Sequence, residues 1–136
     1  MAFIVSHSRE FQAGLKDRLE RRMFIAMVEL EGRVKRLIST GQPVRRTKSG
    51  RLIGLDPSRP FEPPHVLTGR LRQSIKGDVT RAGDFIVGRV GSNVEYARAL
   101  EFGYAPRNLD PRPYLRPSFR DSIKRIASIL RGGSGR

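Results

Sequence analysis

The chain has 136 residues, with 27 Lys plus Arg against 13 Asp plus Glu, a formal charge of +14, and no cysteine. That length suits one domain built on one modest core. The missing cysteines exclude disulfides and thiolate metal sites, the two histidines (His7 and His65) are too few and too separated for a metal cluster, and no apolar run nears the roughly 20 residues of a membrane helix.

The charge is uneven. Residues 104–136 hold eight basic side chains against two acidic ones, and a field of that sign draws polyanions or acidic protein surfaces. Residues 1–5 lack the basic flank and the length of a signal peptide, so the chain is expected to be soluble and made in a cytoplasm.

From Arg9 to Thr40 no proline intervenes, and Leu15, Leu19, Met23, Ala26, Leu30, Val34 and Leu37 recur at spacings of three and four. This stripe predicts a long helix, assigned to residues 1–40. Phe24, Ile25 and Val28 widen the apolar arc beyond one seam, which suits a helix with its own sheet on one side and another subunit on the other. Gly41 and Pro43 stop it. Residues 41–64, with five prolines and five basic side chains, read as an extended basic loop or arm. Within it Arg45, Arg46, Lys48 and Arg51 are candidate phosphate contacts, and Leu52, Ile53 and Leu55 form a short apolar patch suited to a neighbouring subunit.

Thr68 reads as the N-cap of a short helical turn in which Leu71 and Ile75 face inward and Arg70 and Arg72 stay outside. Val79–Thr80 and Phe85–Val90 then flank Arg81–Asp84 as a hairpin, with Phe85, Val87 and Arg89 on one face and Ile86, Gly88 and Val90 on the other. Tyr96, Ala99, Leu100 and Gly103 mark a short helix with Phe102 as an anchor. Pro117 opens a last helix with an apolar stripe of Phe119, Ile123, Ile126 and Leu130, and with Arg116, Arg120 and Lys124 among its polar positions. Residues 132–136 are expected to be a disordered tail. The fold class is α+β in a single domain: a long N-terminal helix, a small antiparallel sheet, and a short helix and a C-terminal helix packed on the sheet, with residues 65–131 as the core.

No constellation for catalysis, metal or cofactor emerges. Glu95 and Glu101 stand six apart, about 120 degrees out of alignment on a helix, with no histidine nearby. Asp78, Asp84, Glu95 and Glu101 are dispersed, and no phosphate-binding or dinucleotide fingerprint is present. The residue supply points to assembly.

Three blocks in order carry a resemblance: Thr68-Gly69-Arg70-Leu71-Arg72, then Tyr96-Ala97-Arg98-Ala99-Leu100-Glu101-Phe102-Gly103, then Arg112-Pro113-Tyr114-Leu115-Arg116-Pro117. Together they resemble the small tail-component or neck family of long-tailed bacteriophages, proteins that form rings at the head-tail junction. The resemblance implies a non-enzymatic structural virion protein, assembled in the host cytoplasm, that repeats around a lumen, as a hexamer or alternatively a dodecamer. Its partners would be a head-closure or connector protein, a tail terminator or tail tube protein, and the DNA passing through. Under it Glu101 accepts a bidentate arginine, from Arg70, Arg72 or Arg112, and Tyr114 and Leu115 dock the loop before the last helix. A tail terminator capping the tube is the nearest alternative. A free nucleic-acid-binding protein, suggested by charge alone, is the alternative of another class.

Overall fold

A long helix laid across a sheet needs residues without side chains beneath it, and this chain provides them. The computed structural model describes residues 2–6, 13–39, 45–50, 52–53, 58–64 and 69–133. Its elements are β1 (Ala2–Ser6), α1 (Ala13–Ser39), β2 (Arg45–Arg46), β3 (Leu52–Ile53), α2 (Arg70–Ser74), β4 (Lys76–Ala82), β5 (Phe85–Gly91), α3 (Ala97–Phe102), a 3-10 turn (Ala105–Arg107) and α4 (Leu115–Arg131). The main sheet is antiparallel in the order β1-β5-β4.

The hairpin turns at Gly83-Asp84, so β4 and β5 run longer than the sequence suggested and pair from Lys76↔Gly91 to Ala82↔Phe85. Side-chain alternation puts Gly77, Val79 and Arg81 on the same face as Ile86, Gly88 and Val90, and α1 covers that face. A Cβ on Gly88 would stand 2.6 Å from Met27 Sδ and 2.8 Å from Met23 Sδ, and one on Gly77 would stand 3.2 Å from Met27 Cβ. The helix therefore rests on backbone. Phe85 and Arg89, on the other face, are exposed.

The stripe read from the sequence is the buried face of α1: Leu19, Met23, Ala26, Leu30 and Val34 join Met27 and Ile38 in the core, with Leu15 and Leu37 at its margin. Polar ties hold the helix in register. Arg81 on β4 reaches Asp17 Oδ1 at 2.6 Å and also binds Glu20. Glu31 accepts from the Gly77 N–H at 2.8 Å and from Lys35 Nζ at 2.5 Å.

Several expectations change. Residues 2–6 form a strand paired with β5, whereas residues 1–40 were assigned to one helix; the run Ala2–Val5 completes the sheet. The arm at 41–64 contains a small hairpin of β2 and β3, and its last part docks on the body, with Ser58 and Pro64 buried. α2 follows Gly69, whose φ of 75° is left-handed and which makes no side-chain cap; Thr68, the expected cap, lies outside the described residues, as do Arg51, Leu55 and the last three residues. α4 packs chiefly along α1 and shares with the sheet the core that holds Ile126, Ile129, Ile86 and Val90. Its inward face includes Ser118 and Ser122, small enough to let the helices approach, and Ile123 is turned outward at 47% exposure.

Two outcomes follow from these contacts. Gly88→Val should lower the unfolding free energy by about 1–3 kcal/mol in a denaturant titration, because the new methyls have to displace two buried thioethers. Burial by itself would raise the Glu31 pKa, but hydrogen bonds from Lys35 and the Gly77 N–H outweigh it and hold the carboxyl below its ordinary 4.5. The stability it contributes is complete above 4.5 and is lost as acid carries the pH down through the depressed native value. Glu31→Gln should flatten that part of an acid-unfolding profile.

Candidate functional site

α4 begins without any local cap. Tyr114 occupies its N-cap position and makes no side-chain cap bond, and neither Leu115 nor Arg116 can accept one. The acceptor arrives from α3. Glu101, 4% exposed, takes the Tyr114 N–H on Oε2 at 2.8 Å, the Leu115 N–H on Oε2 at 2.9 Å and the Arg116 N–H on Oε1 at 2.9 Å. Pro117 has no N–H to satisfy, so one carboxylate satisfies the three free N–H donors that open this helix.

The loop between the helices is built for that meeting. Gly103 ends α3 at φ 79°, and a Cβ there would lie 2.8 Å from Leu109 O, so the return of the chain past this point requires glycine. Tyr104 bridges to Leu109, and the Arg112 N–H then donates to Leu100 O at 2.6 Å. Tyr114, fully buried, donates its hydroxyl to Ala97 O at 3.3 Å. Burial, the Glu101 charge and Tyr96 push its phenol pKa up, so it remains a neutral donor.

Glu101 was expected to accept an arginine, and this is corrected: its oxygens are taken up by backbone N–H groups. Arg112 instead donates from Nε to Ser58 O at 2.8 Å, tying residues 58–64 to the body. Arg70 and Arg72 are exposed on α2. Of the residues expected to mark and anchor the short helix, Leu100 is half-buried, but Phe102 is 56% exposed and Tyr96 is also exposed. Phe102 lies under the Arg116 guanidinium, 4.7 Å from ring centroid to Cζ. Tyr114 and Leu115 both meet Glu101 through their N–H groups.

Arg116, Arg120 and Lys124 come together as an exposed ridge on α4, continued by Arg131, within about 80 degrees of arc and roughly 22 Å of length. Lys48 is exposed in the β2–β3 turn, while the side chains of Arg45 and Arg46 fall outside the described residues. Among the described residues no three His, Asp or Glu side chains could share a metal ion, and no helix is long and apolar enough to cross a membrane. The surface instead carries large apolar side chains: Phe24, Ile25 and Val28 on α1 are each more than half exposed. Phe61, at 71%, sits at φ 67°, a left-handed conformation that costs a bulky residue about 1–3 kcal/mol. Sequence reading passed over it for lack of any periodic signal.

Residues 6–103 match the HK97-gp10-like family, described as "Bacteriophage HK97-gp10, putative tail-component". The match covers well over half of the chain, and the chain belongs to this family of bacteriophage tail components. It includes the Thr68–Arg72 and Tyr96–Gly103 blocks and stops short of α4. Against curated proteins and against solved structures the chain has no significant match.

Replacing the capping carboxylate should be costly. Glu101→Gln, which keeps the shape but turns an amide NH₂ toward donors, should destabilise the fold by about 1.5–3 kcal/mol, and Glu101→Ala by more. Amide hydrogen exchange at residues 114–116 should accelerate in both variants more than exchange in β5.

Proposed function

On the premise of that family, we propose that this chain is a structural virion protein of the phage head-tail junction. Copies form a closed ring, most simply a hexamer, that joins the head connector to the tail tube and leaves a lumen for DNA. The observation that carries this reading beyond tail component is the α4 ridge: Arg116, Arg120, Lys124 and Arg131 form one exposed line. Repeated by rotational symmetry, such a line makes a basic inner wall that contacts phosphates without reading bases. The DNA, or an acidic neighbour, then offsets the mutual repulsion of chains that each carry +14.

The work of such a ring is geometric. One head-to-tail interface repeats until the rotation closes, and its two open ends present different faces to the connector and to the tail terminator or tube. The half-exposed apolar residues on α1 supply surface for contacts of this kind. The reading assigns no chemical step to the chain.

The purified protein should have a solution mass that is a multiple of 15.4 kDa, six-fold in the favoured case, by light scattering or native mass spectrometry. A triple Arg116→Ala, Arg120→Ala, Lys124→Ala variant should retain that mass and lose binding to duplex DNA, with the salt slope reduced by about three. A strictly monomeric protein, or a ring whose DNA binding ignores the ridge, contradicts the reading.

A further inference from the structure

Two unlike surface features lie toward opposite ends of α1. The first is Phe61, held outward by a turn whose backbone is fixed on both sides. Its N–H donates to Pro111 O at 2.8 Å, the Glu62 N–H donates to Arg59 O at 3.1 Å, and Arg112 holds Ser58 O. A left-handed backbone at a phenylalanine is maintained here to keep an aromatic ring in water, where it gains nothing.

The second is an open depression of about 700 Å³ between α1 and β4, floored by Phe24, Ile25 and Val79 and rimmed by Asp17, Glu20 and Asp78, with Arg21 its lining cation. Its floor is apolar, and on its rim Asp17 and Glu20 are already paired with Arg81. Arg59 stands two residues before Phe61 and Glu62 one after it, and the lining of the depression carries both signs of charge, in Asp78 and in Arg21.

One copy is unable to satisfy itself. α4 runs antiparallel to α1, with Asp121 beside Arg33 and the Leu130 carbonyl beside Arg22. The start of α4, and the loop on which Phe61 is anchored, therefore lie toward the Leu37 end of α1. That end is about 20 Å along the helix from Phe24. When two such patches meet different neighbours the association is heterologous and produces rings or filaments; a reciprocal two-fold pair would instead close at two copies.

We infer that the Phe61 ring of one copy inserts into the Phe24–Ile25–Val79 depression of a second copy of this chain, and that this is the repeating contact of the assembly. The inference rests on the ring reading and supplies its interface. An aromatic knob in an apolar socket ringed by charge is the usual form of an interface hot spot.

Because the chain has no cysteine, the contact can be trapped selectively. The double variant Phe61→Cys, Ile25→Cys, oxidised mildly, should give a ladder of covalent multimers, and an equal mixture of the two single variants should give only linked dimers. Phe61→Gly suits the left-handed backbone, so its thermal unfolding temperature should stay level or rise while self-association weakens at least about tenfold. An assembly of native mass in which Phe61→Gly is fully incorporated and no cross-link forms would overturn the inference and leave the ring reading standing. A native chain that stays monomeric would overturn both. Loss of tail-tube binding by Phe61→Gly, with self-association unchanged, would also overturn it, since the socket would then belong to another protein.

Discussion

The placement of α4 and of the basic ridge it carries depends on one buried carboxylate. Glu101 gives up water to accept three main-chain N–H groups at the start of α4, and a charge so buried is tolerable only because those bonds are charge-assisted and complete. At the other end Arg22 donates from Nη1 to the Leu130 carbonyl at 3.3 Å, opposite in sign and suited to a helix C-terminus. Clamped at both ends, α4 has one position along α1. Its basic ridge is aimed by the clamp, and Arg116 is aimed twice, since its backbone binds Glu101 and its guanidinium lies over Phe102.

The interior and the exterior obey different rules. Inside, α1 approaches the sheet over Gly88 and Gly77, and the small residues Ala26, Ser118 and Ser122 are buried on α1 and α4, so close packing is achieved by leaving side chains out. Outside, the chain keeps Phe24, Ile25, Val28, Phe61 and Phe102 in solvent. An isolated domain gains nothing from that arrangement, whereas a subunit finds in it the faces that its neighbours cover.

Much of this was legible in the residues, wherever the determinant was local and periodic. The three-and-four spacing from Leu15 to Leu37 marked the buried face of α1, and the alternation from Phe85 to Val90 placed Ile86, Gly88 and Val90 on the covered side. What escaped was set by contacts distant in sequence. Ala2–Ser6 reads as a short apolar run and becomes a strand only because β5 offers an open edge more than eighty residues later. Ile123 fits the apolar stripe of α4, yet Ser118 and Ser122 take the inner positions because α1 lies too near for larger groups. Glu101 was legible as important but not in its role. The clue was the start of α4, where Pro113, Tyr114, Leu115 and Arg116 include no Asp, Asn, Ser or Thr to cap the helix, so an acceptor had to come from elsewhere in the chain.

In the proposed ring these side chains fit copies of one molecule together around a channel. Cryo-electron microscopy of the intact head-tail junction tests that most directly. The account predicts a closed ring of this fold with α4 turned toward the DNA and Phe61 covered by the adjacent copy. A junction from which the chain is missing, or a ring in which α4 faces outward and Phe61 remains in solvent, would contradict it.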